Sequence, residues 1–316
     1  PSALPEVARG SIKLDLHRRD FTINTLAVRL DGAYLGELFD FYGGRRDLEA
    51  KRIRVLHSPS FVDDPTRILR AVRLEQRLDF QIEPRTAELI DSALPMIARV
   101  TGERLRNELT LCLQETKRSQ MIARLAEVGV LTRIHPEFKW KSSTAATLAN
   151  ADEVLEEPMW LEALGGESSV FVYFALIVLT LDFHVREEVM HRLKVRKNTR
   201  DDVGAAQRML DELSQLDAGA SPSAVVQILR PYPRRVLVVA ISQVGPGTLL
   251  GRQIEQFQRE WRDVRTSLNG NDLLAMGLEA GPIVGQLLDR LLAARLDGKV
   301  HDLAGEQKLL DSLLED

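Results

Sequence analysis

From Pro65 to the end of the chain, apolar residues recur at intervals of three and four, as in Ile68, Leu69 and Val72 and again in Leu89, Ile90 and Leu94. This is the repeat of one face of an α-helix, so most of the chain must fold into helices that each bury one side. Pro84, Pro95, Pro136 and Pro158 cut the run into helices of ordinary length. Upstream the pattern differs. Two short β-prone pieces, residues 27–30 and 34–39, flank Asp31-Gly32, a hairpin signal. The expected fold is mainly α, with a small α/β piece leading into a large all-helical remainder. Residues 141–151 are small and polar enough for a loop or a weak helix. A mixed region of about sixty residues with one hairpin is too small to bury a good core unaided. The chain also begins at Pro1 rather than Met. Both observations lead to the expectation that further strands lie upstream, in a longer polypeptide.

Charge and cysteine content narrow the function classes. A net charge of -4 argues against a whole-chain electrostatic grip on nucleic acid. The basic balance lies near the start, where residues 1–118 hold 20 Lys+Arg against 18 Asp+Glu. Cys112 is the single cysteine and can form no intramolecular disulfide, so it reads as a buried, inert thiol in a cytoplasmic protein. The longest apolar run, residues 170–181, is well short of the ~20 needed to span a bilayer. It reads as a buried helix, and no membrane partner is expected.

The segment Asp63-Asp64-Pro65-Thr66-Arg67-Ile68-Leu69-Arg70-Ala71-Val72-Arg73 carries the most chemistry. A carboxylate before proline suits a helix start. Asp64, Arg67, Arg70 and Arg73 recur every three residues, and each step of three turns a helix by about 300°. The row therefore winds, and a ligand touching all of it must be elongated. Three arginines with too few local carboxylates to neutralise them favour an external anion, and arginine favours bidentate contact with phosphate or a base edge. A solvated, ion-paired face is the alternative reading. A carboxylate accepts hydrogen bonds and a guanidinium donates them. Asp64 with Arg67 thus matches cytosine or adenine, which place an amino donor beside a ring-nitrogen acceptor. Uracil and guanine have the opposite polarity and would leave unpaired groups costing roughly 1–3 kcal/mol each. Upstream, Leu14 to Asn24 reads as helical, with Asp20 and Asn24 one turn apart beside an apolar stripe.

Three motifs occur in order: Arg18-Arg19-Asp20-Phe21-Thr22-Ile23-Asn24, then Gly43-Gly44-Arg45-Arg46-Asp47-Leu48, then the Asp63 to Arg73 segment. Together they closely resemble the class II tRNA nucleotidyltransferase and bacterial poly(A) polymerase family. The likeness is strong over residues 10 to about 110. It extends loosely to the C-terminus through Asn269-Gly270-Asn271-Asp272-Leu273 and Gly281-Pro282-Ile283-Val284-Gly285. The resemblance implies an incomplete α/β nucleotidyltransferase head remnant at residues 1–57, a nucleotide-selecting helical neck at 58–118, and an elongated, tRNA-binding helical body and tail at 119–316. It implies that Arg19 and Asp20 contact the phosphate and ribose of an incoming nucleotide. Asp64 and Arg67 would pair with its base, and Arg70 and Arg73 would approach the triphosphate. Arg18, Asn24 and Asp63 would support them. Glu103, Arg104 and Glu108 fall where the family keeps a charged helix bracing the neck, a structural role.

The implied activity is addition of C and/or A to the tRNA 3′ end from CTP or ATP, with Mg2+ as cofactor and the tRNA 3′ end and acceptor region as partner. A poly(A) polymerase, or a non-catalytic RNA-binding relative, is the alternative. Two departures stand out. Asp63 occupies a position where the family usually has glutamate. No Asp-x-Asp pair, the family's metal-binding motif, occurs in the sequence, so this chain alone is expected to bind nucleotide weakly and not to catalyse transfer. Lys194, Arg196 and Lys197, in a cationic stretch from His191 to Arg200, and Gly281 and Gly285, at a helix start, are candidate RNA contacts.

Overall fold

The computed structural model describes residues 11–216 and 219–315. The first ten residues of the expected head segment 1–57 lie outside the described residues. The chain divides into two compact units, one built from the residues up to Lys141 together with Leu181–Val195, the other from Ser142–Thr180 and the residues from Arg196 onward. As expected, a small α/β piece with two two-stranded sheets precedes a long, mostly helical remainder.

In the first unit a helix over Ile12–His17 is capped by the Ser11 hydroxyl and buries Leu16. Helix does not continue to Asn24. The chain turns at Arg18 and resumes as a 3-10 turn, Thr22–Thr25. Phe21 forms a bridge with Val55, and the Thr22 amide donates to the Arg54 carbonyl at 2.9 Å. This pairing of backbone groups outcompetes the helix that local spacing alone suggests. The expected hairpin forms, but its strands are only Ala27–Val28 and Leu38–Phe39, in register Ala27 to Phe39. Asp31-Gly32 opens a longer loop with a 3-10 turn at Gly32–Tyr34 instead of a two-residue turn.

Arg52–Ile53 pairs in parallel with Gln81–Ile82, bringing the start of the unit against the far end of the Thr66–Leu78 helix. That helix buries Ile68, Leu69, Ala71, Val72 and Leu74 and packs on the helices Gly102–Gln114 and Arg118–Val128. It ends at Asp79, whose left-handed backbone (φ 55°) is held beside Lys117. Cys112 is buried, and burial pushes its thiol up to about 12, in line with an inert role.

In the second unit the apolar run becomes the helix Val170–Val178, buried nearly all round. Residues 141–151 largely join a regular helix, Ser143–Val154, whose Leu148, Ala151 and Val154 are buried against Arg234–Val244. The last helices close a separate core of Leu268, Leu273, Leu287, Leu291 and Leu310. Among the described residues no helix is long and apolar enough to cross a membrane.

Candidate functional site

The first motif is held by the second. Gly43 adopts φ 73° and starts the helix Gly44–Glu49. A Cβ on Gly44 would stand 2.4 Å from the Thr22 carbonyl oxygen, so only glycine permits this approach. The helix then delivers Asp47, which is 1% exposed, to accept from the Thr22 hydroxyl at 2.8 Å and from Arg54 Nε at 3.0 Å. Arg54 also pairs with Glu83 at 3.3 Å. The turn carrying Asp20 is therefore fixed by Gly44, Asp47 and Arg54, and sequence reading assigned no such role to any of these three.

Asp20 is buried. Its Oδ1 accepts from the Phe21 amide at 2.9 Å and from Asn24 Nδ2 at 2.8 Å, while Oδ2 lies 2.6 Å from Arg70 Nη2. The Asp20–Asn24 pair thus forms without the helix expected to make it. Arg67 Nη2 donates to the Arg18 carbonyl at 3.1 Å and Nη1 to the Ser60 hydroxyl at 2.7 Å. Two arginines of the Thr66–Leu78 helix therefore meet the Arg18-Arg19-Asp20 turn across some 50 residues of chain, a separation that no local pattern encodes. The Arg18 and Arg19 side chains are exposed and reach Asp15, Arg18 Nε at 2.8 Å and Arg19 Nη2 at 3.4 Å.

Asp64 is extended (φ -142°) and precedes the helix, not lying on it. Its Oδ1 takes the Thr66 amide at 3.1 Å, the Thr66 hydroxyl at 2.6 Å and Arg104 Nη2 at 2.8 Å. Partial burial raises its pKa, but the Thr66 bonds and the Arg104 charge outweigh it and hold the carboxyl below its ordinary range. The Arg67 amide donates to the Asp64 carbonyl at 3.1 Å, but the two side chains share no hydrogen bond and each is oriented by different partners. Arg73 points inward, 16% exposed, with Nη1 at 4.0 Å from Glu108. Burial pushes the Glu108 carboxyl up despite the charges of Arg73 and Arg70. Asp63 is exposed and 3.6 Å from His57 Nε2.

The arrangement offers phosphate-sized donors at Arg18, Arg19, Arg67 and Arg70 around a buried aspartate, with a fixed carboxylate at Asp64 nearby. The other candidates lie elsewhere. Lys194 (φ 52°), Arg196 and Lys197 are exposed. Gly281 and Gly285 border the start of the helix Pro282–Leu296 and face open space. As for magnesium, no group of three or more His, Cys, Asp or Glu able to hold a metal occurs among the described residues. Asp20, Asp64 and Glu108 are each engaged by an arginine. This donor set does not fit a divalent ion.

Comparisons with known proteins agree with the motifs. Residues 3–54 match a family described as the poly A polymerase head domain, and residues 79–141 one described as a probable RNA and SrmB-binding site of polymerase A. The A-adding tRNA nucleotidyltransferase of Geobacter sulfurreducens is 35% identical over 98% of this chain. The chain spans only 36% of that relative's length. A solved CCA-adding enzyme in an apo form superposes with a TM-score of 0.82 at 30% identity, covering 98% of this chain and 73% of the other. The Thermotoga maritima CCA-adding enzyme complexed with tRNA gives a TM-score of 0.76 at 32% identity, over 96% and 74%. On the three motifs, the fold they build and these likenesses, the chain belongs to the class II tRNA nucleotidyltransferase and poly(A) polymerase family.

Proposed function

We propose that this chain supplies the nucleotide-selecting and RNA-holding part of a cytoplasmic tRNA nucleotidyltransferase that adds C and/or A to the tRNA 3′ end from CTP or ATP. The A-adding relatives favour the terminal A. The observation that carries the reading is the meeting of Arg67 and Arg70 with the Arg18-Arg19-Asp20 turn. A triphosphate on this surface would draw Arg19, Arg70 and, behind them, Arg73. Asn24 steadies Asp20 for a ribose hydroxyl. The Asp64 oxygen not used by Thr66 and Arg104, with Arg67, would read the amino and ring-nitrogen edge of C or A. Arg104 fixes Asp64 in its charged, accepting form, and Asp63 flanks it. Residues 1–57 would be head, 58–118 neck, and 119–316 body and tail, with Lys194, Arg196, Lys197, Gly281 and Gly285 toward the tRNA acceptor region.

Two magnesium ions would supply activation of the attacking 3′ oxygen and charge neutralisation of the departing pyrophosphate. Their carboxylates would have to come from outside the described residues, so no step is assigned to this chain beyond binding and selection. The test is equilibrium binding of the four nucleoside triphosphates to the chain. ATP and CTP should bind more tightly than GTP and UTP, and Arg67→Ala should remove the difference. Equal binding of all four would refute the templating role. Nucleotidyl transfer to tRNA by this chain with magnesium alone would refute its inactivity. The two matches described by poly(A) polymerase names keep that activity as the second reading. Extension of any RNA rather than of tRNA lacking its 3′ end, once a complete head is supplied, would select it.

A further inference from the structure

Three arginines of the second unit are each held by a carboxylate. Arg235 holds Asp202 through two bonds of 2.7 and 2.9 Å, Arg259 pairs with Glu255 at 2.7 Å, and Arg295 with Glu306 at 2.5 Å. A neighbouring group is built differently. Arg230, just past the helix Pro222–Leu229, donates from Nη2 to the carbonyls of Arg262 (3.4 Å) and Val264 (3.0 Å). Arg265 Nη1 donates to the same two carbonyls at 2.8 and 2.9 Å. Two guanidiniums are thereby brought together on shared acceptors. Between them in sequence, Arg262 places its guanidinium carbon 5.5 Å from the Phe257 ring centre, and its buried Nη1 has no hydrogen-bond partner among the described residues. Exposed Arg234 lies close enough for its charge to act on Arg262.

None of the four has an ion pair with a carboxylate among the described residues. Asp263 and Asp289 act on the group only at longer range. Burial, then the charge of Arg265, lowers the pKa of Arg230, and burial, then the charge of Arg234, lowers that of Arg262. Four cations facing two distant carboxylates leave positive charge uncompensated, and carbonyl acceptors fix guanidiniums without neutralising them. Of the four, Arg230 also lines a neighbouring groove of about 520 Å³, together with Asp289 and Arg290.

We propose that Arg230, Arg234, Arg262 and Arg265 form a phosphodiester site that grips the backbone of the RNA substrate. This rests on the reading that the substrate is tRNA, and it adds a site which that reading does not contain. Several guanidiniums grouped in this way suit a polyanion better than a single free phosphate.

The experiment is tRNA binding to the full chain, measured by fluorescence anisotropy over a series of salt concentrations. Arg234→Ala with Arg265→Ala should weaken binding several-fold. It should also make the dependence of log affinity on log salt shallower by about 0.7–0.9 for each phosphate no longer neutralised. Both side chains are exposed, so thermal unfolding should match the parent. Arg234→Ala alone, removing a side chain that makes no hydrogen bond among the described residues, should move both readouts the same way by less. The matching lysine substitutions should restore the slope. Unchanged affinity and slope in a folded variant would overturn the site, as would a parent chain lacking salt-dependent tRNA binding. Displacement of tRNA by low concentrations of inorganic phosphate would mark a free-phosphate site and overturn the RNA assignment. ATP binding on the same samples judges the nucleotide reading separately and should be unaffected by these substitutions.

Discussion

Asp20 in the first unit and Glu306 in the second are both buried carboxylates facing an arginine, 4% and 0% exposed, yet their oxygens are satisfied differently. Both Glu306 oxygens accept well-aligned bonds, from the Ser267 amide at 3.0 Å, the Leu268 amide at 2.9 Å and Arg295 at 2.5 Å. It joins the last helix to the loop before Asn269. Asp20 puts both of its hydrogen bonds on Oδ1 and leaves Oδ2 to the charge of Arg70, whose side chain is 39% exposed, without an aligned hydrogen bond. A carboxylate with every acceptor position used acts as a staple. One that holds a half-exposed arginine by charge would keep that arginine available to the phosphate of the proposed nucleotide site.

The sharpest way to break this contrast is Glu306→Ala. It should cost about 3–5 kcal/mol by leaving Arg295 and two amides without their partner, as read by chemical denaturation, with ATP affinity unchanged. A loss of ATP affinity would mean Glu306 is no mere staple. Acid should act on the same residue. Burial raises the Glu306 carboxyl, but the Leu268 and Ser267 amides and Arg295 outweigh it and hold it below its ordinary value of 4.5. Its contribution is therefore complete above that value and is lost as pH falls through the lowered folded value. The stability gap between parent and Glu306→Gln should close over that window in denaturation curves taken across acid pH.

Next in size, Gly44→Ala should destabilise by about 1–3 kcal/mol because its Cβ meets the Thr22 backbone. Unlike Glu306→Ala, it should also weaken ATP binding, since Thr22 and Asp20 share one turn. Isothermal titration and thermal unfolding on one sample separate the two effects. Arg67→Ala should weaken ATP binding by about tenfold, the scale of one charged hydrogen bond, with only a slight change in unfolding. The smallest effect is expected for exposed Asp63. Asp63→Ala should change stability by under about 0.5 kcal/mol, given its single distant partner His57, and a larger change in denaturation would reveal a structural role for that pair.

Helix content, the buried run at residues 170–181 and the inert cysteine were legible because each depends on local spacing or a single residue. The hairpin was half legible: alternation marked its strands, while the register and loop depended on the Arg29 and Glu37 backbone bonds. The continuous helix from Leu14 to Asn24 was misread because the Phe21–Val55 bridge and the Thr22–Arg54 bond, made to a distant segment, decide the backbone there. Arg104 was legible as a helical charge but not as the partner of Asp64, 40 residues away.

By itself the sequence determined the helical build and the arginine row every third residue, since these follow from residue chemistry and spacing. Only the tertiary structure decided which arginine serves which carboxylate: Arg70 serves Asp20, Arg104 serves Asp64, and Arg73 turns inward to Glu108. Ion pairing falls off with distance in space, and segments 40 or 50 residues apart acquire that distance only when the core of Ile68, Leu69 and Val72 closes.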